Sequence, residues 1–384
     1  MRIGEVYAER SERGAEDMEL LSVTMNDGVK MRSDIEGKDN SSEDKSNYKI
    51  VRAGDMVYNS MRMWQGANGI SPWDGIVSPA YTVLKPRMPI SNGFFAALFK
   101  THRLINEFRK NSQGMTSDTW NLKYPQIETI KTCIPALAEQ EKIADFLMVL
   151  DQRIEKQRTL VEHLKKYKRG VIKEFLNPRT CPIKNAVWRK ATIGELGTFV
   201  KGAPLSKADI SDEGTPFILY GELYTTYGEV INKVVRKTQR SVDNVYLSRT
   251  GDVLIPTSGE TPEEISTASC VMVSGVILAG DLNIFRTSKM DGRIMSYVLN
   301  HIVNSNIARI AQGKSVVHIQ ASEISKISIS YPDENTQQQL ISVFDGISER
   351  ITLVEKSLAK LILLKKSLIQ KSSVLKAAPF RVIL

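Results

Sequence analysis

The chain has 384 residues, of which 42% are hydrophobic and 25% charged, the composition of a soluble folded protein with room for two hydrophobic cores. Its formal net charge of +9 at pH 7 favours a polyanionic partner, although many soluble proteins are as basic. No apolar run approaches the roughly 18 residues of a membrane span, and no basic-then-apolar signal opens the chain, so we expect a cytoplasmic protein without a membrane partner.

Residues 1–134 read as a first globular domain of mixed strands and helices. Alternating apolar residues over 20–29 predict a strand that enters a turn at Asn26-Asp27-Gly28. The polar segment 33–47 reads as a loop, and Tyr48 to Tyr58 reads as two strands joined by a turn. The next predicted elements are a strand from Tyr81, a single helix over 90–114, and short strands around Leu122 and over 127–134.

The segment 59–79 is rich in side chains that can contact DNA bases. It reads as a long loop with guanidinium, amide and indole groups among three glycines, and these groups hydrogen-bond base edges or stack. The alternative is that the tryptophans pack over a sheet edge and the polar groups are solvated. The candidate DNA-binding residues of this segment are Arg62, Trp64, Gln65, Asn68 and Trp73.

Residues 135–178 read as a long helical spacer. Its apolar residues recur at alternating steps of four and three, a heptad repeat that predicts a narrow seam against another helix. Pro135 marks the start of the helix and Asn177-Pro178 marks the stop. The predicted seam residues are Ile143, Leu147, Leu150, Ile154, Val161 and Leu164.

The second half of the chain repeats the first. Pro332 stands 197 residues after Pro135, and Gly251 stands 197 residues after Gly54, an offset that indicates an internal duplication. The repeat defines a second globular domain at 179–331, a second helical spacer at 332–376 and a tail at 377–384. The second seam consists of Leu340, Phe344, Ile347, Ile351, Val354, Leu358 and Leu361, with Leu375 near its end.

The two domains share a framework and differ in one loop. At the place of the tryptophan-rich segment, the second domain has 256–261, the pattern expected when two copies have acquired different targets. One helix is predicted from Met295 to Ala311, followed by a helix-ending loop near DNA. The candidate DNA-binding residues of this domain are Ser258, Glu260, Thr261, Lys314, Ser315 and His318.

No cluster of residues indicates catalysis, a cofactor or a metal. The segment 308–315 comes within one residue of a P-loop, but a helix precedes it and a strand-like segment follows, the reverse of the P-loop context. No Gly-x-Gly occurs for a Rossmann-type loop. Cys133, Cys181 and Cys270 are too scattered for a disulfide framework or a zinc site. We therefore expect no catalytic, cofactor-binding or metal-binding residue.

One combination of residues carries a family resemblance. Ile134-Pro135, Glu139-Gln140 and Ile143 open a long heptad helix, and Pro332, Gln337 and Leu340 repeat the arrangement. This duplicated signature resembles the specificity (S) subunit of type I restriction-modification systems. The segments 59–69 and 258–261 are similar to parts of target-recognition domains in that family, and the resemblance covers essentially the whole chain.

The resemblance implies an α+β protein with two similar target-recognition domains separated by two long, antiparallel coiled-coil helices. It implies a non-catalytic reader of double-stranded DNA, in which each domain recognises one half of a split, asymmetric sequence. Methyltransferase subunits, two per chain, would methylate adenine, and restriction subunits would complete the enzyme. S-adenosylmethionine, ATP and magnesium would bind to these partner subunits.

Physical reasoning supports a spacer role for the helices. A helix of about 40 residues is roughly 60 Å long, whereas sites on one face of DNA recur about every 34 Å. The heptad spacing alone leaves parallel pairing of the two helices open. Lys168 and Lys365 occupy matched seam positions, where they either fix the register of the helix pair or extend to solvent. Apolar residues beyond the seam are expected to dock the methyltransferase; these are Phe146, Phe175, Val343 and Leu363.

Two other classes of protein stay open at this stage. One is a stand-alone DNA methyltransferase or nuclease, which would require a cofactor loop or a carboxylate cluster. The other is a coiled-coil adaptor that binds proteins only, with incidental basic charge.

Overall fold

The structure, a computed structural model, describes residues 1–14, 17–25, 28–37, 39, 41–311, 313 and 317–372. Unit 1 comprises Met1–Thr159 and the residues from Glu355 onward, and unit 2 comprises Leu160–Val354. Each unit mixes helices with β-sheets, which confirms the predicted α+β class. Among the described helices, none combines the length and the hydrophobicity that crossing a membrane requires.

Unit 1 begins with a short helix and contains eight strands among its described residues. The elements are α1 (Ile3–Val6), β1 (Tyr7–Glu9), β2 (Leu21–Thr24), β3 (Gly28–Met31), β4 (Lys49–Val51), β5 (Met56–Asn59), β6 (Asn68–Ile70), β7 (Gly75–Val77), β8 (Tyr81–Pro86), α2 (Asn92–Leu98), α3 (His102–Asn111), α4 (Tyr124–Ile127) and α5 (Leu137–Phe175).

A four-stranded sheet in the order β1-β8-β5-β6 organises unit 1. The pairing is antiparallel, with Val57 opposite Val83 in the register of β5 and β8. Tyr7 packs edge-on against Phe95 with the ring centroids 5.3 Å apart, and Phe99 packs against Phe108. Each fully buried side chain of this size stabilises the fold by about 1.5–3 kcal/mol, so this aromatic cluster anchors α2 and α3 to the sheet.

The single helix predicted over 90–114 is wrong, because two helices occupy this segment. The side chains of Ser91 and Thr101 accept hydrogen bonds from the backbone N–H groups of Phe94 and Leu104, which caps the start of each helix. The apolar spacing continues across the break between α2 and α3, so the sequence pattern does not show that the helix is interrupted. The short strands predicted around Leu122 and over 127–134 are also wrong, since α4 occupies 124–127 and only isolated bridges flank it.

Unit 2 follows the same plan with more elements. They are β9 (Trp188–Thr192), α6 (Ile193–Leu196), β10 (Gly197–Lys201), β11 (Thr215–Leu219), α7 (Glu222–Thr225), β12 (Val230–Ile231), β13 (Arg236–Thr238), β14 (Asp252–Pro256), β15 (Ser258–Gly259), α8 (Pro262–Ile265), β16 (Ser269–Val271), β17 (Ile277–Ala279), β18 (Leu282–Thr287), α9 (Gly292–His301), α10 (Asn304–Ile310), β19 (Val317–His318), α11 (Ala321–Ser325), β20 (Ser328–Pro332) and α12 (Glu334–Ser372).

A five-stranded sheet in the order β10-β18-β14-β16-β12 organises unit 2, beside a three-stranded sheet in the order β13-β11-β17. The core between the sheet and α9 includes Ile294, Tyr297 and Val298. The single helix predicted from Met295 to Ala311 is wrong. The N–H groups of Ile302 and Val303 both bond to the carbonyl of Val298, which ends α9 before α10 begins.

The duplication found in the sequence is present in the backbone of both units. Gly54 and Gly251 have φ angles of 93° and 94°, the left-handed conformation that favours glycine. The following carboxylates, Asp55 and Asp252, each accept a hydrogen bond of 2.9 Å from a backbone N–H three residues earlier. The two copies therefore share the same turn in atomic detail.

Gly251→Ala is expected to lower the free energy of unfolding by about 1–2 kcal/mol, because alanine is strained in the left-handed region. Gly170→Ala in α5 is the matched control and should raise it by roughly 0.5–1 kcal/mol, because glycine disfavours a helix interior. An added Cβ meets no atom within 4 Å at either position, so the backbone conformation alone separates the two. Chemical denaturation measures the change in the free energy of unfolding for both variants. Changes of the same sign would contradict a left-handed conformation at Gly251.

The two long helices form as predicted, and each contains 39 residues. Each begins two residues after its proline, at Leu137 and Glu334. Every predicted seam residue among those described is buried or half-buried, whereas most residues between them are exposed. This burial is what a helix-pairing seam requires, but which seam residues contact each other stays a prediction. Leu375 and the tail 377–384 lie outside the described residues.

Each unit contains parts of both long helices. Unit 1 holds the first part of α5 and the last part of α12, where Asp151 Oδ1 and Lys365 Nζ lie 2.5 Å apart. Unit 2 holds the last part of α5 and the first part of α12, where the rings of Phe175 and Phe344 are 6.3 Å apart. Within each unit the start of one long helix thus accompanies the end of the other, as in an antiparallel pair. Phe175 is half-buried against this core rather than turned outward as expected.

Candidate nucleic-acid interface

In unit 1, three of the predicted DNA-binding residues lie on one tight turn after β5. Arg62 precedes a 3₁₀ turn, Met63–Gln65, which ends at Gly66 in the left-handed conformation with φ of 88°. The indole Nε1 of Trp64 donates a hydrogen bond of 3.1 Å to the carbonyl of Met61, so the turn holds this ring in place. The side chain of Arg62 is exposed, and those of Trp64 and Gln65 are half-buried.

Trp120 extends this turn into a larger surface. Its ring packs edge-on against Trp64 with the centroids 5.2 Å apart, and the guanidinium of Arg109 lies 5.6 Å from its centroid. An aromatic pair beside cations suits stacking on bases and contact with phosphates. The sequence prediction missed Trp120, although the repeat offset matches it to Val317, the neighbour of the candidate His318.

Asn68 and Trp73, the other two candidates of the segment 59–79, do not lie on this turn. Asn68 is fully buried, and its Nδ2 donates to the carbonyl of Gly66 at 3.3 Å. The predicted contact of Asn68 with DNA does not fit this position, because the side chain supports the turn from inside. Trp73 is 37% exposed and stands apart on the segment between β6 and β7. These two strands also show that 59–79 is not one long loop.

In unit 2, β15 and β19 bring two predicted candidates together. Ser258 lies opposite His318 in this antiparallel pair, but Ser258 is buried and donates from Oγ to Asp281 at 2.6 Å. A contact between Ser258 and DNA therefore does not fit the structure. Thr261 caps α8 in a capping box with Glu264, so its hydroxyl also has a structural role.

Glu260 and His318 remain as exposed candidates in unit 2. Lys314 and Ser315 lie outside the described residues. A second carboxylate lies beside Glu260, since Glu264 Oε2 accepts a hydrogen bond of 2.9 Å from the backbone N–H of Glu260. Carboxylates accept hydrogen bonds from base amino groups, whereas guanidinium groups suit donation to guanine.

The same backbone bond supports both candidate surfaces. In unit 1 the N–H of Leu122 donates to the carbonyl of Ser60 at 2.9 Å, and in unit 2 the N–H of Ile319 donates to the carbonyl of Thr257 at 2.9 Å. We call the exposed and half-buried side chains at these places the reading surfaces. They are Arg62, Trp64, Gln65 and Trp120 in unit 1, and Glu260 and His318 in unit 2.

A partly buried ion pair holds α5 against the body of unit 2. Lys168 Nζ lies 3.0 Å from Glu229 Oε2 and 5.4 Å from the ring centroid of Tyr297, and His301 Nε2 lies 2.9 Å from Glu229 Oε1. Burial by itself raises the pKa of Glu229, but the hydrogen bond to His301 and the charge of Lys168 outweigh it and lower the pKa to about 2.

Glu229→Gln is expected to remove an acid-sensitive part of the stability. The carboxylate has a folded pKa of about 2 against an ordinary value of 4.5, so it stabilises the fold above pH 4.5 and this contribution is lost as the pH falls towards 2. Its size is on the order of 3 kcal/mol. Thermal unfolding of the wild type and the Glu229→Gln variant across this pH range measures the contribution. A difference in stability between the two that does not change with pH would contradict the lowered pKa of Glu229.

One family model matches most of the chain. It is described as the type I restriction modification DNA specificity domain, and it matches residues 26–164 and 185–362. The chain belongs to this family. Membership confirms the resemblance drawn from the duplicated helix signature, and this specificity-family chain is a DNA sequence-recognition subunit of a type I restriction-modification system.

Three solved structures share the fold of this specificity-family chain. A chain from work described as "Structural basis underlying complex assembly and conformational transition of the type I R-M system" is 16% identical over 97% of this chain and 96% of its own, with a TM-score of 0.63. The S subunit of M. genitalium is 14% identical over 97% and 94%, with a TM-score of 0.54. The HsdS subunit of Thermoanaerobacter tengcongensis is 16% identical over 98% and 96%, with a TM-score of 0.50.

Proposed function

We propose that this chain is the non-catalytic reader of a split, asymmetric DNA sequence, in which each unit contacts one half-site. The observation that carries the proposal is the pair of reading surfaces, which present different side chains on the same backbone support. A duplicated framework with two identical surfaces would read a symmetric site. Two dissimilar surfaces suit an asymmetric one.

The chemistry of the two reading surfaces supports different base preferences. Arg62 and Gln65 suit guanine and adenine, respectively, in the major groove, whereas Glu260 suits cytosine as a hydrogen-bond acceptor. The indole rings of Trp64 and Trp120 add apolar contact area beside the guanidinium of Arg109. The net charge of +9 favours the phosphate backbone, which positions the reader on the duplex.

The outer faces of the long helices are the proposed docking surfaces for methyltransferase subunits, one for each unit. In unit 1, Phe146 is 56% exposed and Leu363 is 68% exposed, and in unit 2, Leu353 is 59% exposed. Exposed apolar side chains in such numbers on a helix pair indicate a protein partner. Work on one of the similar structures concerns the assembly of a type I system, which fits such partners.

The partner subunits supply the chemistry in this proposal. Methyltransferase subunits would bind S-adenosylmethionine and methylate adenine, and restriction subunits would use ATP and magnesium. The complex would act in the cytoplasm, where it has access to the cell's DNA. This chain's own part is to hold and orient the duplex for these subunits.

Binding of fluorescent DNA by the purified chain, with and without its methyltransferase, tests the proposal. We expect affinity to rise with the methyltransferase and to fall steeply as salt increases, because phosphate contacts release counterions. Absence of DNA binding in both samples would favour a protein-binding adaptor. Binding of labelled S-adenosylmethionine by the isolated chain would favour a stand-alone methyltransferase.

A further inference from the structure

A buried glutamine joins the long helix of unit 1 to its globular part. Gln140 lies in the first turn of α5 and is only 4% exposed. Its Nε2 donates to the carbonyl of Pro135 at 2.9 Å, and its Oε1 accepts from the backbone N–H of Ser91 at 3.1 Å. Because Ser91 is the N-cap of α2, one side chain ties the start of α5 to the start of α2.

The same joint recurs in unit 2. Gln337, also 4% exposed, donates from Nε2 to the carbonyl of Pro332 at 2.9 Å and accepts at Oε1 from the backbone N–H of Asp291 at 2.7 Å. Asp291 is the N-cap of α9. The capping residue differs between the copies, yet both hydrogen bonds are retained. A neutral amide both donates and accepts, which hydrocarbon and carboxylate side chains do not.

In unit 1, the helices beyond the joint support the reading surface. α2 leads into α3, and an added Cβ on Gly66 would come within 3.3 Å of Ile105 Cδ1, so α3 packs directly on the turn that carries Trp64 and Gln65. Asn68 Nδ2 also lies 3.5 Å from the carbonyl of Phe99, between α2 and α3.

In unit 2, α9 supports the reading surface in a comparable way. Asn300 Oδ1 accepts from the N–H of Ala268 at 3.1 Å, and Asn300 Nδ2 donates to the carbonyl of Ala268 at 2.7 Å. Ala268 follows the segment that begins with Glu260 and includes α8. In unit 1 the helix that Gln140 contacts thus leads into the helix that packs on the candidate turn. In unit 2 the helix that Gln337 contacts is hydrogen-bonded to the residue that follows the segment of Glu260.

We infer that Gln140 and Gln337 are positioning residues that fix the direction in which each long helix leaves its recognition unit, and thereby set the gap between half-sites that the complex accepts. The inference rests on the proposed split-site function. A helix of 39 residues is roughly 58 Å long, so a tilt of about 4° at its base moves the far end by about 4 Å. That exceeds the rise of about 3.4 Å for one base pair.

Methylome sequencing of hosts that carry the methyltransferase and a Gln140→Met or Gln337→Met chain tests this inference. Methionine keeps the shape of glutamine and removes both hydrogen bonds. For each variant, methylation is compared at genomic copies of the motif with the native gap and with gaps one base pair longer or shorter. Gln140→Glu and Gln337→Glu replace the donor by a carboxylate oxygen that faces the proline carbonyl, so they should also raise methylation at altered gaps. Gln338→Ala, an exposed neighbour, is the matched control.

We expect the methionine variants to raise methylation at altered gaps, relative to the native gap, by about fivefold, the scale of one net hydrogen bond. Gln338→Ala should leave the ratio unchanged. Lower methylation at all gaps with an unchanged ratio would show a merely structural role and overturn the inference. A wild-type chain that directs no split motif would overturn the proposed function, and the inference with it.

Discussion

Replacing Arg62 and Gln65 together by alanine is expected to reduce methylation of the native motif by on the order of a hundredfold, because each well-placed base contact contributes about 1–3 kcal/mol of discrimination. Both side chains stand on the turn that Trp64 and Gly66 hold. The loss should concern one half-site only, so bases at that half-site become less restricted while the other half-site stays intact. Methylation of a library of duplexes randomised in each half measures this directly.

Arg103→Ala provides the control for this pair. Arg103 is an exposed cation on α3 in the same unit, and it lies outside the reading surface. If it touches a phosphate, its loss weakens binding for all sequences alike and does not alter base preference. Unchanged base preference in the Arg62 and Gln65 double variant would remove this turn from the set of reading residues.

Lys168→Met is expected to lower the free energy of unfolding of unit 2 by about 1–3 kcal/mol, because the partly buried carboxylate of Glu229 then keeps only its hydrogen bond to His301. The side chain of Lys168 is 13% exposed and that of Glu229 is 23% exposed. Hydrogen exchange of the amides in α9 reports on the same unit and should accelerate accordingly.

Lys365→Met is the matched control, since the repeat places Lys365 at the same seam position. Its partner Asp151 is 49% exposed, and an exposed pair contributes about 0–1 kcal/mol. The substitution should therefore have little effect on stability. Equal effects of the two substitutions would show that the seam position, rather than the burial of the partner, determines the loss.

The sequence predicted best what depends on local periodicity and on the repeat. The heptad ladder and the two prolines located both long helices, and the offset of 197 residues located the turns at Gly54 and Gly251. The sequence did not predict the helix breaks inside 90–114 and 295–311. A capping hydroxyl or a backbone hydrogen bond separates two helices there without disturbing the apolar spacing.

The candidate site was predicted only in part, because burial depends on long-range packing. Asn68 and Ser258 have the chemistry of base-contacting residues, but the fold uses them internally. Trp120 is 56 residues from Trp64 along the chain and meets it only in the fold. The partnership of Lys168 with Glu229 likewise joins residues 61 positions apart, which no local pattern predicts.

Methylome sequencing of a host that carries this chain with its methyltransferase tests the central claim most directly. We expect one motif made of two short, different sequences separated by a fixed number of unspecified bases, with methylated adenine in both parts. A single contiguous motif, or methylation that does not depend on this chain, would contradict a reader with two dissimilar surfaces.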